Sequence, residues 1–483
     1  MGFTLAASDR SDMSEDSDYR IEEDSLGEMQ VPADAYWGAQ TQRAIQNFPI
    51  SDIVFGRRFV RALGVVKKSA ARANRDLGHV DDETAEAIVE AADEVIAGEL
   101  DGEFPVDVFQ TGSGTSSNMN ANEVIANRAA EILGAEVGDR VVHPNDDVNF
   151  GQSSNDVIPT AMHVAALEAV KNDLLPALET LRDALAAKEE EFDGVVKTGR
   201  THLQDATPVR LGQEFGGYRT QVEKGIQRVE HTEDHLAELA LGGTAVGTGL
   251  NTDPEFPELA AEYIAEETGL PFREADNHFE AQAAHDAMSE AHGALRVVAG
   301  SLNKIANDLR LLASGPRNGL GELEQPENQP GSSIMPGKIN PVVAEAVNQV
   351  HKQVVGNDAA VSAGAAEGQI DLNLYKPVLA HNFLESSEIL ANSSEVFAEK
   401  FVAKLEANEE HCEAAVERSM ALATALNPAI GYDKASKVAK KALAEGKSVK
   451  QVAVDEGYLT EAEAEEVLDP EKMTYTGILG DEE

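Results

Sequence analysis

The sequence predicts an all-α, mainly helical protein built around a long helix bundle. Three observations predict it. Apolar residues recur in three- and four-residue steps through the middle of the chain, strand patterns are sparse throughout, and the composition is Ala-rich, with 42% hydrophobic but only 5% aromatic residues. A chain of 483 residues has room for several domains and a sizeable core.

The elements follow in order. Residues 1–20 are rich in Ser, Asp and Glu and have little to bury, so an acidic disordered tail is expected. Residues 21–151 read as an N-terminal, mainly helical domain whose apolar clusters are interrupted by TGSGTSSNMNANE (111–123) and HPNDDVNFGQSSND (143–156). Residues 152–410 carry the bundle. Leu174, Leu178, Leu181 and Leu185 form one ladder, in which Pro176 is expected to kink the helix. Leu211, Phe215, Tyr218 and Val222 form a second; Ala291, Leu295, Val298, Leu302, Ile305, Leu309 and Leu312 form a third. A period near 3.5 residues places each ladder on one helix stripe, and such stripes are stable only when several helices pack together. Residues 411–483 read as a small helical domain punctuated by glycine.

The formal net charge is −47, although the charged fraction of 26% is ordinary. A field this negative repels nucleic acid and anionic membranes, so neither is an expected partner. The skew reads as adaptation to molar salt, which screens the repulsion between surface carboxylates. Cys412 is the only cysteine, which excludes an intrachain disulfide, a Cys-based zinc site and a cysteine-ligated iron–sulfur cluster, and fits a reducing cytoplasm. No apolar run approaches the ~20 residues of a membrane helix, and the acidic N-terminus is unlike a signal peptide. GxGxxG after a strand, GxxxxGK[ST] and HExxH are absent, and no metal-ligand spacing is found, so no cofactor or metal is expected.

Four loops carry the chemistry. In GSSIMPGKINP (331–341), glycine and serine turns can aim backbone N–H groups into an anion-binding concavity, and Lys338 adds a positive charge. Ser332 or Ser333 could act there as a base, because a cation and hydrogen-bond donors stabilise an alkoxide. In GRTHLQDATP (199–208), His202 sits among Arg200, Thr201 and Gln204 just before a helical ladder. The 111–123 and 143–156 stretches are dense in hydroxyls and amides, neutral donors that can hold a dicarboxylate without a strong positive field.

Together these loops resemble the aspartase/fumarase superfamily, and most closely its class II, iron-independent fumarases. GSSIMPGKINP resembles the superfamily's most specific motif. VPADAYWGAQTQRA (31–44), TGSGTSSNMN, HPNDDVN, QSSND, GGTAVGTGLN (242–251) and LNLYKPVLAHNFLESS (372–387) are similar to the fumarase branch. The resemblance implies a three-domain subunit with a central five-helix bundle, four copies forming a twenty-helix homotetramer core, and active sites shared by three subunits. It implies reversible anti hydration of fumarate to L-malate, without a metal, through an aci-carboxylate. By resemblance Ser332 takes the C3 proton, Lys338 and Asn340 stabilise the aci-carboxylate, and His202 with Glu345 handles the water leaving C2. Ser113, Thr115, Ser153, Ser154, Asn155 and Thr201 would bind the dicarboxylate together with Lys338 and Asn340. His143, Asn145 and Asp146 match a second dicarboxylate site. The alternatives are an aspartate ammonia-lyase using ammonia in the same pocket, and a non-enzymatic helical protein that kept the shell.

Overall fold

The computed structural model describes residues 19–477. The acidic tail lies outside the described residues except for Tyr19 and Arg20, which open a strand. That strand, Tyr19–Asp24, pairs antiparallel with Gly27–Pro32. The Arg20 guanidinium holds the hairpin to the chain that follows, donating to Glu22 and to the carbonyls of Pro32, Ala35 and Trp37.

The chain is mainly helical, as the ladders require, and among the described residues strands occur as short two-stranded pairs. No described helix is long and apolar enough to cross a membrane. The chain divides into two compact units, one of Met1–Asp173, Val229–Ala294 and Val355–Glu388, the other of Leu174–Arg228, Leu295–Val354 and Ile389–Glu483.

In the first unit the helix Arg57–Asp76 packs against the helices Asp82–Ala97, Ser154–Ala169 and Phe256–Thr268. Small residues let these helices approach closely. A Cβ on Gly64 would lie 3.0 Å from Ile96 and 3.1 Å from Val95, a fit that a larger residue gains only if those side chains give way. The motif at 31–44 has a structural explanation. The buried Glu123 carboxylate accepts from the backbone N–H groups of Gly38, Gln40 and Thr41 and from the Thr41 hydroxyl, satisfying the N-terminus of the helix Ala39–Asn47.

All three apolar ladders are buried along their full length. Phe192 meets Phe215 edge-on with ring centroids 5.1 Å apart, and the Lys304 ammonium lies over the Tyr218 ring at 4.6 Å. The expected kink at Pro176 takes a specific form: a π-turn, Val170–Leu174, precedes the helix Leu175–Glu191 and leaves the proline in its first turn. There the missing N–H costs nothing. At the C-terminal end Leu422, Leu426, Val438, Val449, Val452 and Leu468 form a small separate core.

Burial pushes His163 down to about 4 and His285 well below its ordinary range. A histidine held neutral in the folded state leaves stability intact above the unfolded value near 6.5 and removes it as pH falls toward 4. We expect an acid loss of about 3 kcal/mol from His163 across that window. Chemical denaturation in molar KCl as a function of pH, with His163→Gln giving a flatter profile than the wild type, checks it.

Candidate active site

The expected site residues fall into two groups, one in each unit. In the first unit two helix N-termini converge. Gly114, with φ 78°, caps the helix Thr115–Ile132, and Ser153 caps the helix Ser154–Ala169 in a capping box with Asp156. The Ser113 hydroxyl lies 2.7 Å from that of Thr115, which lies 2.8 Å from that of Ser154. The Asn155 amide is held by the Ala245 carbonyl at 2.8 Å. Helix N-termini present unpaired N–H groups and partial positive charge, so the cluster suits an anion. The backbone turn that delivers it has no room to spare, since a Cβ on Gly112 would lie 1.9 Å from the Leu374 carbonyl oxygen.

Below this cluster lie three buried charges. Asp156 accepts from the N–H groups of Ser153 at 2.9 Å, Gly242 at 3.1 Å and Thr244 at 2.8 Å, and so ties the turn to the 242–251 loop. Lys67 donates to the side-chain oxygens of Asn149 at 2.8 Å and Gln152 at 2.9 Å, and Lys376 donates to the Asn155 carbonyl at 3.0 Å. Burial raises Asp156 to about 6 and lowers both lysines to about 7, and attraction between Asp156 and each lysine opposes these shifts.

His143, Asn145 and Asp146 are also brought together. The His143 ring accepts at Nδ1 from the N–H groups of Asn145 and Asp146, at 3.3 and 3.0 Å. Nδ1 also lies 3.2 Å from the Asp146 carboxylate. These contacts fix the orientation of the ring over the turn.

One constellation imitates a different chemistry. His292 lies 3.0 Å from Asp358 through Nδ1 and 2.9 Å from the Ser386 hydroxyl through Nε2. Ser386 and His292 are both fully buried, and Asn357 also donates to the hydroxyl at 3.0 Å. A nucleophile no substrate can reach is a structural hydrogen-bond network.

In the second unit the strands Val196–Thr201 and Gln204–Arg210 form a hairpin with His202 and Leu203 as its two-residue turn, at φ 54° and 60°. Two positive φ values match a type I′ turn, which normally uses Asn and Gly. Leucine in this region is strained, a common mark of a functional site. Charges fix the base of the hairpin. The buried Glu322 receives Arg200 at 2.8 Å and Lys197 at 3.2 Å, and Lys197 also reaches Glu214 at 2.9 Å. Cys412 beside them is inert, its thiol pushed up to about 12 by burial and the Glu322 charge.

The 331–341 loop is ordered by its own side chains. The Ser332 hydroxyl oxygen accepts from the N–H groups of Ile334 at 3.2 Å and Met335 at 2.9 Å. Lys338 donates to the Asn340 side chain at 2.8 Å, whose amide donates to the Gly331 carbonyl at 2.5 Å. Glu345 lies in the first turn of the helix Val342–Ala365. Among the described residues no hydrogen bond joins His202 to Glu345 within one chain. Thr201 ends the strand that leads into His202.

The sequence profile of the family described as "Lyase" matches residues 27–356, and that of the "Fumarase C C-terminus" matches residues 422–475. The chain is 83% identical to the class II fumarate hydratase of Halobacterium salinarum, over 96% of this chain and 98% of that one. The chain belongs to the class II fumarate hydratase family of lyases. A crystal structure of the class II fumarase of Schistosoma mansoni superimposes with a TM-score of 0.92 at 39% identity, covering 95% of this chain and 99% of that one. The class II fumarate hydratase of Nitrosomonas europaea is 55% identical over 94% of this chain and 99% of its own length.

Within this family fold, sequence reasoning missed the groups beneath the loops. Asp156 and Lys376 stand inside quoted motifs but were not singled out. Lys67 stands in the apolar stripe of its own helix, four residues after Leu63 and four before Ala71, and Lys197 and Glu322 are charged groups with almost no exposure. A lysine in an apolar stripe was the available signal. Because Glu322 neutralises two cations from full burial, Glu322→Ala is expected to cost about 3–5 kcal/mol. Thermal unfolding of the variant in molar KCl measures it.

Proposed function

We infer that the chain is a hydro-lyase that adds water to fumarate, reversibly and with anti geometry, to give L-malate. The observation that carries the mechanism is the Ser332 hydroxyl oxygen, which accepts two backbone N–H groups in the loop that also holds Lys338. Those donors stabilise negative charge on Oγ and fit Ser332 for removing the C3 proton of malate. Proton removal leaves an aci-carboxylate with two negative charges on one carboxyl group, which Lys338, Asn340 and the loop N–H groups stabilise. His202, with Glu345 as its acidic partner, delivers the proton with which the C2 hydroxyl leaves as water. Ser113, Thr115, Ser153, Ser154, Asn155 and Thr201 hold the carboxylates and the hydroxyl. His143, Asn145 and Asp146 form a second dicarboxylate site, in which the N–H groups of Asn145 and Asp146 hold the His143 ring.

The functional assembly in this reading is a homotetramer, each active site drawing on three subunits, located in the cytoplasm. Its domains are 21–151, 152–410 and 411–483. Leu203 and Ile334, next to His202 and close to Ser332, are 70% and 82% exposed in one chain, as contacts completed by another copy require.

The first experiment follows the ultraviolet absorbance of fumarate in molar KCl, with and without ammonium and a chelator. Conversion independent of both is expected; a strict need for ammonium would overturn the reading in favour of an aspartate ammonia-lyase. Ser332→Ala should lower kcat at least about 100-fold with the assembly intact, and near-wild-type turnover would remove Ser332 from the base role. Lowering KCl below about 0.5 M should dissociate the tetramer and abolish activity together, as unscreened carboxylates repel across its interfaces. Light scattering and rates measured on the same samples test that link.

A further inference from the structure

We propose that Lys67 and Lys376 are positioning residues that supply the positive potential with which the 153–155 turn selects a dianion. The proposal rests on the assignment of Ser153, Ser154 and Asn155 to substrate binding.

The two ammonium groups bracket this turn. Lys67 grips Asn149 and Gln152 on its N-terminal side, while Lys376 grips the carbonyl of Asn155 on its C-terminal side. Both lysines have no exposed surface. Their hydrogen-bond partners are all neutral amide or carbonyl oxygens, which a glutamine could also satisfy. Burying a full charge merely to make such bonds is a poor structural bargain, because neutral side chains do the same without losing ion hydration.

Charge balance shows what is left over. Asp156 is the carboxylate whose charge acts on both lysines, and its oxygens are already engaged by three backbone N–H groups. With both lysines in their charged form, two ammoniums against one carboxylate leave an excess of one positive charge. His285, fully buried near Lys376, adds no charge, since burial and the lysine both hold it neutral. The excess sits in a low-dielectric region beneath two helix N-termini, where screening by salt is weak. An anion arriving in the turn favours the charged form of each lysine and completes the neutralisation. One carboxylate completes this balance, and a second carboxylate on the same ligand is drawn by the same field, so a dianion gains more from it than a monoanion.

The test compares succinate, an unreactive dianion, with butyrate, a monoanion of the same chain length, by calorimetry on the assembled enzyme in molar KCl. Lys376→Gln keeps a donor for the Asn155 carbonyl and removes the charge. It should weaken succinate at least about tenfold while changing butyrate much less, and raise KM for fumarate more than it lowers kcat. Lys376→Arg should retain most of the preference for the dianion. A wild-type ratio of succinate to butyrate affinity in Lys376→Gln would overturn the proposal and leave Lys376 as a mechanical tether. Lys67→Gln, which touches no residue assigned to substrate, carries the same test where Lys376→Gln fails to fold. A wild type that does not hydrate fumarate would sink the functional reading itself, whereas normal hydration with an unchanged ratio in both glutamine variants sinks only the role of the lysines.

Discussion

A chain of net charge −47 that binds a dianion must build its attraction locally, and much of the structure follows from that constraint. The first unit meets it with two helix N-termini, a run of hydroxyls and two cations placed out of reach of solvent. A surface cation would be screened by molar salt and matched by neighbouring carboxylates. A buried one keeps most of its field. Asp156 makes the arrangement tolerable, since it offsets part of the charge while tying the 153–155 turn to the loop that carries Ala245 and hence orients Asn155.

The second unit holds the proposed catalytic histidine at the tip of a narrow hairpin. His202 and Leu203 both adopt positive φ without being glycine or asparagine, a conformation that persists only when the flanking strands dictate it. Glu322 adds to the hydrogen bonding between the strands by clamping Arg200 and Lys197 from complete burial. The mobile-looking motif at 331–341 is stiffened in the same economical way, by Ser332, Lys338 and Asn340 bonding within the loop.

How much of this was readable depended on how far each feature reaches along the chain. The Ala291 to Leu312 ladder is a local repeat, and it gave the bundle helix and its buried stripe directly. The loops were readable because Gly, Ser and Asn concentrate where backbone N–H groups are exposed for binding. The bond between Thr115 and Ser154 joins residues 39 positions apart, and no spacing rule announces it. Lys376 was hidden for a related reason, reading as an ordinary lysine until the fold places it with Asp156, whereas Lys67 carried a signal in the apolar stripe of its helix. The hairpin under His202 was hidden because burial along its strands does not alternate, so they carry no period-two pattern. At Pro176 the sequence carried the disturbance but not its form, since a π-turn shifts the hydrogen-bond register upstream of the proline.

The two groups also differ in what a single chain completes. The hydroxyl cluster around Thr115 is satisfied within its own unit, with partners for Ser113, Ser154 and Asn155 all in place. His202 makes no side-chain hydrogen bond among the described residues, and it projects beside an exposed leucine. In the proposed role His202 needs a partner to fix its tautomer, and within one chain Glu345 does not provide it. An exposed, strained histidine flanked by an unburied apolar side chain fits the half of a contact that the proposed assembly would complete. In the proposed assembly the acidic surface bears on that contact, because salt that screens carboxylates also sets how closely a second copy can approach.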